Sequence, residues 1–206
     1  MAHKTVLLCV DMQNDFCLPE AVLCVKGAMR CLPKVIEAVD VARSHGVPVI
    51  WVIREHHPSG VDVERYREHL YDADRGTGAT VSGRPGAALV AGLSAAPGEL
   101  IISKKRFSAF MHTHLDSLLR RMGAQAVAVC GVQTPNCIRG TAWDAIALDY
   151  PQVTVLADAT ASASDEVQAA NLGDLRAVGV GTPSVGEWAA GLAARGAAGR
   201  PLCHGL

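Results

Sequence analysis

The sequence predicts an α/β fold in which a parallel sheet is covered by helices on both faces. Short apolar runs of strand length alternate along the chain with segments whose apolar residues recur at helical spacing. The runs are apolar throughout rather than at every second position, as strands are when both faces of their sheet are buried. We therefore expect a three-layer, doubly wound, Rossmann-like architecture in a single domain that spans residues 1–206.

The apolar runs define the expected strands, because each is bounded by polar residues, glycine or proline. The predicted strands are residues 5–10, 47–53, 99–103, 126–130, 153–157 and 178–181. In parallel sheets of this kind, ligands bind outside the carboxyl ends of the strands. The residues that follow these runs are therefore the first candidates for a functional site.

Helices are expected where apolar residues recur at every third or fourth position and where capping or breaking residues set the ends. The predicted helices are residues 33–45, 87–93, 114–122, 134–149, 165–178 and 184–194. Each lies between two predicted strands or after the last one. This alternation is what the doubly wound architecture requires.

Four other segments lack both patterns. Residues 17–30 are expected to form a loop, and residues 158–160 a turn that supports the edge of the sheet. The polar, glycine-rich segment 54–86 is expected to be a loop that shapes a pocket, with a short helix near residues 62–70. The glycine-rich tail, residues 195–206, is expected to be loose.

Composition limits the function classes. The net charge is −1 and no basic face stands out, so nucleic acid is not an expected partner. The apolar runs are too short to span a membrane, and the N-terminal run is too short for a signal peptide. The chain has seven cysteines, an odd number, and no two of them have CxxC spacing. This pattern favours a reducing cytoplasm over a disulfide framework or a zinc knuckle.

Three reactive side chains fall at the carboxyl ends of predicted strands: Asp11, Lys104 and Cys137. Cys137 lies where a strand gives way to a helix, since Thr134 can cap that helix and Pro135 suits its first position. The positive end of the helix dipole favours a thiolate there. The alternative for Cys137 is a small, inert, buried cysteine.

Together these groups support nucleophilic catalysis by a thiol. Asp11 is placed to accept the thiol proton, and Lys104 to hold the carboxylate and the thiolate. Backbone N–H groups between Gln133 and Cys137 are candidates for an oxyanion hole. Simpler interpretations stay open: Asp11 as a turn cap, Lys104 as part of a solvated basic cluster, and Asp158 as a competing acid.

Four motifs carry a resemblance to a known family. They are LLCVDMQNDF at residues 7–16, KKRFSAF at 104–110, GVQTPNC at 131–137 and DATASASDE at 158–166. In this order and spacing the chain resembles the isochorismatase-like cysteine hydrolases, which include nicotinamidases and related amidohydrolases. The resemblance covers residues 5–188, and it implies an isochorismatase-like α/β fold.

The resemblance implies a catalytic triad of Asp11, Lys104 and Cys137. The family lysine lies three residues before an aromatic residue, here Phe107, so Lys104 rather than Lys105 matches it. The family also implies a dimer or a larger homo-oligomer.

The resemblance further implies how the substrate is held. A cis peptide between Val132 and Gln133 is expected, and the N–H groups of Gln133 and Cys137 would form the oxyanion hole. The implied substrate contacts are Phe16, Phe110 and Asn136.

One departure from the family concerns metal binding. Many nicotinamidases bind a metal through an Asp-x-His motif after the second strand. Here Glu55 and His57 have that spacing and His69 lies downstream, but the set is incomplete. We therefore expect no metal and no other cofactor.

The sequence thus predicts a cysteine hydrolase that cleaves the C–N bond of a small amide through a thioester. An isochorismatase-type or nicotinamidase activity and a catalytically silent binding protein remain alternatives. A phosphatase of the haloacid dehalogenase type would need an aspartate where Gln13 stands. A dinucleotide-binding protein would need a glycine-rich turn where the sequence reads DMQNDF.

Overall fold

The computed structural model describes residues 4–72 and 77–198, which form a parallel five-stranded sheet flanked by helices. The strands of this sheet are β1 (Thr5–Val10), β2 (Val49–Arg54), β5 (Leu100–Lys104), β6 (Ala126–Val132) and β7 (Gln152–Ala161). Their order in the sheet is β5-β2-β1-β6-β7, and every neighbouring pair is parallel. The predicted α/β fold with a parallel sheet is confirmed.

The helices lie between strands or follow the last strand. They are α1 (Asn14–Cys17), α2 (Ala28–Ser44), α3 (Leu115–Met122), α4 (Arg139–Ala147), α5 (Asp165–Ala177) and α6 (Val185–Ala198). A π-helical turn, Thr134–Ile138, precedes α4, and 3₁₀ turns occupy Arg65–Leu70 and Pro85–Ala87. A two-stranded antiparallel pair, β3 (Tyr71–Asp72) and β4 (Thr77–Gly78), lies within the long loop after β2.

Each face of the sheet has its own hydrophobic core. Strand β1 is buried at every position, and its side chains alternate between the two cores. Leu7 and Cys9 pack with α2 and α6 in the first core, whereas Leu8 and Val10 pack with α3, α4 and α5 in the second core. This arrangement explains why the strand is apolar throughout, and it gives the three layers that the sequence predicts.

Helix α2 shows that the prediction of a loop over residues 17–30 was wrong at its end. The helix begins at Ala28 and contains Pro33, which the sequence analysis took as its start. Pro33 is the sixth residue of the helix, beyond the first turn, so it removes one backbone hydrogen bond from the helix. Cys31 and Leu32 are buried in the first core, and this burial favours helix across the proline.

Strand β7 is longer than predicted and includes residues 158–160, so the predicted turn was wrong. After a register shift between Val129 and Gly131, Thr160 pairs with Gly131. Burial of Ala159 holds this second half of the strand against the first core. Asp158 accepts a hydrogen bond of 2.8 Å from the Val185 N–H at the start of α6. This aspartate is therefore engaged with α6.

Two further short elements differ from the prediction. The predicted helix over residues 87–93 was wrong: Asn14 N donates to Ala88 O and Val90 N donates to Met12 O, so residues 88–90 lie alongside residues 12–14. Residues 91–92 form a turn, closed by a hydrogen bond from Leu93 N to Val90 O. Residues 178–181 contribute only one isolated bridge, between Thr154 and Gly181, in the described part of the chain.

Two further predictions concern the C-terminal tail and the long loop after β2. Helix α6 continues to Ala198, so the prediction of a loose tail from residue 195 was wrong for its first four residues, and residues 199–206 lie outside the described part. The short helix expected near residues 62–70 is the 3₁₀ turn Arg65–Leu70. Over residues 4–72 and 77–198, we find no helix with the length and apolar character needed to cross a membrane.

Candidate active site

The carboxyl ends of four adjacent strands converge on one place. Asp11 follows β1, Arg54 ends β2 and Lys104 ends β5, with Arg54 and Lys104 directly paired in the sheet. Cys137 lies in the π-helical turn that follows β6. Because β2, β1 and β6 are neighbours, these side chains meet at the edge where parallel sheets bind ligands.

Gly131 allows β1 and β6 to approach closely just before the site. Its φ is +110°, and a Cβ at this position would lie 2.0 Å from the carbonyl oxygen of Val10. Only glycine fits such a conformation and contact without a shift of the backbone. The close approach brings the turn that carries Cys137 beside Asp11.

The structure brings the three predicted side chains together around the ammonium group of Lys104. Lys104 Nζ lies 2.8 Å from Asp11 Oδ2 and 3.3 Å from Cys137 Sγ. It also donates a 3.1 Å hydrogen bond to the carbonyl oxygen of Arg106. Asp11 and Lys104 are fully buried. The carboxylate and the sulfur therefore share one buried cation.

Lys105 points away from this cluster. Its Nζ donates to the carbonyl oxygen of Glu55 and lies 3.1 Å from Asp62 Oδ2. Of the two neighbouring lysines, Lys104 is therefore the one that contacts Asp11 and Cys137.

Electrostatics favour the neutral thiol at Cys137 in the resting site. Burial raises the pKa of this thiol and the Asp11 carboxylate raises it further, while Lys104 and Arg54 act to lower it. The net direction is upward, contrary to the expectation that the helix start alone would favour a thiolate. Because the thiol keeps its proton, a reaction through Cys137 needs a nearby base. Asp11 Oδ1 has no hydrogen-bond partner among the described residues and can serve as that base.

The loop after β6 has the backbone geometry that the resemblance implies. The peptide bond between Val132 and Gln133 is cis. The N–H groups of Asn136 and Ile138 donate to the Gln133 carbonyl oxygen, at 3.1 and 3.3 Å. This carbonyl is therefore turned into the π-helical turn, while the roles of Gln133 and Cys137 N–H as oxyanion donors stay predictions.

The three predicted substrate contacts lie in different surroundings. Phe16 is buried in the first core, and Phe110 is buried in the second core with its ring centroid 5.8 Å from that of Tyr150. Asn136 is half-buried in the π-helical turn next to Cys137. Of the three, Asn136 is next to Cys137 in the chain, whereas Phe110 packs against Tyr150 within the second core.

Arg54 is a site residue that the sequence analysis did not identify. Its side chain is fully buried, and its Nη1 contacts both carboxylate oxygens of Glu64, at 2.8 and 2.9 Å. Its Nη2 lies 4.0 Å from Cys137 Sγ. The Gln13 side chain fixes the Arg54 backbone, accepting from its N–H at 2.7 Å and donating to its carbonyl at 2.8 Å. The available signal was its position, directly after an apolar run.

The residues with metal-motif spacing are engaged elsewhere. Glu55 accepts a 3.1 Å hydrogen bond from Ser82, and His57 Nδ1 lies 2.7 Å from Ser59 Oγ. The buried histidine is His56; burial and the charge of Arg54 lower its pKa to about 4. Within residues 4–72 and 77–198, no group of three or more His, Cys, Asp or Glu side chains is placed to hold a metal ion. Glu55 and His57, the two residues with the motif spacing, are each held by a serine side chain in this arrangement.

We expect that activity will not depend on a metal ion. Prolonged dialysis against a chelator should leave turnover within about twofold, because the strand end that would hold the metal carries the buried cation Arg54. Elemental analysis of the dialysed protein would confirm that no metal remains. Activity that disappears on dialysis and returns with zinc or iron would contradict this expectation.

Comparisons with known proteins identify the family of this chain. The family model for the isochorismatase domain matches residues 5–185. A probable inactive nicotinamidase of Arabidopsis thaliana is 48% identical over 192 residues, which cover 93% of this chain and 97% of that protein. A ureidoacrylate amidohydrolase of Methylobacterium radiotolerans is 30% identical over 79% of this chain and 69% of its own length.

Solved structures show the same fold. An isochorismatase family protein of Desulfovibrio vulgaris superposes with a TM-score of 0.89 at 45% identity, covering 93% of this chain and all of that chain. The family match over most of the sequence, together with these relatives, shows that this chain belongs to the isochorismatase family of hydrolases.

Proposed function

We propose that this protein is a cysteine hydrolase that cleaves the C–N bond of a small amide through a thioester on Cys137. The observation that carries the proposal is the shared contact of Lys104 Nζ, 2.8 Å from the Asp11 carboxylate and 3.3 Å from the Cys137 sulfur. A nucleophile, a base and an orienting cation in mutual contact are what covalent catalysis by a thiol requires.

In the first half-reaction Asp11 accepts the thiol proton as sulfur attacks the amide carbonyl. Lys104 stabilises the negative charge that remains on the Asp11 and Cys137 pair. The N–H groups of Gln133 and Cys137 donate to the developing oxyanion. The tetrahedral intermediate collapses when Asp11 returns the proton to the leaving nitrogen, and this releases ammonia or an amine.

In the second half-reaction water attacks the thioester. Asp11, again a carboxylate, accepts a proton from that water, and the oxyanion donors hold the second tetrahedral intermediate. Collapse expels Cys137, which regains its proton, and the carboxylic acid leaves. The raised pKa of the Cys137 thiol fits this cycle, because the resting enzyme then needs Asp11 to generate the nucleophile.

The 48% identical relative is described as a probable inactive nicotinamidase, which makes direct measurement of activity essential. The test is a screen for ammonia release from small amides and ureido compounds that includes nicotinamide and ureidoacrylate. We expect at least one compound to be hydrolysed by the native protein and not by Cys137→Ala. Hydrolysis that persists in Cys137→Ala would contradict the proposal, and a complete absence of hydrolysis would favour a silent binding protein.

A further inference from the structure

We propose that Arg54 is a substrate-binding residue that selects molecules with a carboxylate close to the carbon that Cys137 attacks. This inference rests on the proposed function only in taking Cys137 Sγ as the reacting atom. It names a substrate class, small anionic amides, that neither the family nor the triad determines.

The guanidinium group of Arg54 presents a free edge to the reactive sulfur. Glu64 binds Nη1 alone, through both of its oxygens, at 2.8 and 2.9 Å. Nε has no hydrogen-bond partner among the described residues, and Nη2 has the 4.0 Å contact with Cys137 Sγ. Nε and Nη2 form one edge of the guanidinium plane, the edge that carboxylates take with two parallel hydrogen bonds.

A guanidinium edge without acceptors, such as Nε and Nη2 of Arg54, is unusual for a buried arginine. Arg54 is fully buried, and a buried donor without an acceptor costs free energy that most proteins avoid. Two donors of a permanently charged group are left without a close acceptor beside the nucleophile. A ligand that brings two acceptor oxygens to this edge removes that cost.

A second arginine adds positive charge to the same place. Arg54 and Arg67 both lie over the ring of Phe107, with 5.4 and 5.0 Å between each guanidinium carbon and the ring centroid. Nη1 of Arg67 is buried and has no hydrogen-bond partner in the described part of the chain. The two arginines outnumber Glu64, so this wall of the site carries net positive charge toward a bound anion.

The position of the edge limits where the carboxylate sits on the substrate. An acceptor held by Nε and Nη2 lies next to Cys137 Sγ, because Nη2 is itself 4.0 Å from that atom. The carboxylate therefore belongs near the scissile carbonyl and not at the far end of a long chain.

Iodoacetate and iodoacetamide are matched probes of this arrangement. In both, sulfur displaces iodide from a CH₂ group, and the reagents differ only in a carboxylate or a neutral amide on that carbon. The second-order rate constant for each reagent at Cys137 is measured by mass spectrometry of the Cys137 peptide. Relative to a free small thiol, we expect the native ratio of iodoacetate to iodoacetamide to be at least about tenfold higher, the effect of one charge-assisted hydrogen bond.

Two variants assign the preference to the guanidinium. Arg54→Gln should lower the ratio about tenfold or more, toward that of the free thiol. The double variant Arg54→Gln with Glu64→Gln should lower the ratio to the same extent. It keeps the net charge of the native protein, and it leaves no buried carboxylate without a partner. Any change in the pKa of Cys137 affects both reagents and cancels from the ratio.

Lys105→Gln is the matched control, since it removes a nearby positive charge that lies outside the cluster and pairs with Asp62. Its ratio should stay within about twofold of the native value. A native ratio no higher than that of the free thiol, or no alkylation of Cys137 by either reagent, would overturn the proposal. An equal ratio in the native protein and in the double variant would do so too. These readouts do not need turnover, so they separate this inference from the amidase proposal.

Discussion

Replacing Cys137 with alanine is expected to reduce amide hydrolysis by at least about 10,000-fold, because no thioester can then form. Among the cysteines of residues 4–72 and 77–198, Cys137 is the one that contacts Lys104 and lies beside Asp11. By contrast, burial raises the pKa of Cys17 to about 12, and Cys9 packs against Cys130 within the sheet. The measurement is ammonia release from an amide that the native protein hydrolyses.

Cys24→Ala is the control for this substitution, because Cys24 is half-buried in the loop between α1 and α2. It should retain full turnover. Alkylation mapped by mass spectrometry should show loss of activity in proportion to the modification of Cys137. Inactivation that instead follows Cys17 or Cys24 would show that the nucleophile has been assigned to the wrong residue.

Asp11→Asn is expected to lower turnover about 100- to 10,000-fold, the contribution of a general acid–base group. The amide keeps the shape of the side chain but cannot accept the thiol proton or return it to the leaving nitrogen. Lys104→Ala should be similarly severe, because Asp11 and the thiolate both lose the cation that lies 2.8 Å from Asp11 Oδ2 and 3.3 Å from Cys137 Sγ.

Lys105→Ala is the matched control, because this lysine follows Lys104 in the chain but contacts Glu55 and Asp62. Its turnover should stay near the native value. The losses in Asp11→Asn and Lys104→Ala should be far from additive in the double variant, since both disable one unit. Circular dichroism must confirm that Asp11→Asn and Lys104→Ala fold, because each of these two changes leaves the other member of the buried pair without its partner. A folded Asp11→Asn protein with near-native turnover would refute the mechanism.

Much of the fold could be predicted because its signals are local. The strand Thr5–Val10 is a continuous apolar run, and it is buried on both faces in the structure. The elements that were mispredicted depend on distant partners. Pro33 reads as a helix start, yet burial of Cys31 and Leu32 extends the helix upstream. Residues 158–160 read as a turn, yet they pair with β6 after a register shift.

For the candidate site too, the residues with local sequence signals were predicted and those that depend on distant partners were not. Strand ends and motif spacing were enough to nominate Asp11, Lys104 and Cys137, which the fold brings into contact. Arg54 was missed because its role depends on Glu64, ten residues along an irregular loop, and on the sulfur of Cys137 across the sheet. Neither contact can be recognised from the periodicity of apolar residues in the sequence. Phe110 was nominated by its motif, and its packing against Tyr150 is a tertiary contact that the motif does not encode.

If the reaction passes through a thioester on Cys137, that acyl-enzyme can be trapped during turnover. The native enzyme is mixed with a hydrolysed amide, quenched in acid during steady turnover, digested and mapped by mass spectrometry. We expect the peptide containing Cys137 to gain the mass of the acyl group, hydroxylamine to remove that mass, and Cys137→Ala to show no such mass. Native turnover at full rate with no acyl group on Cys137, at quench times that capture single turnovers, together with hydrolysis by Cys137→Ala, would contradict the thioester mechanism.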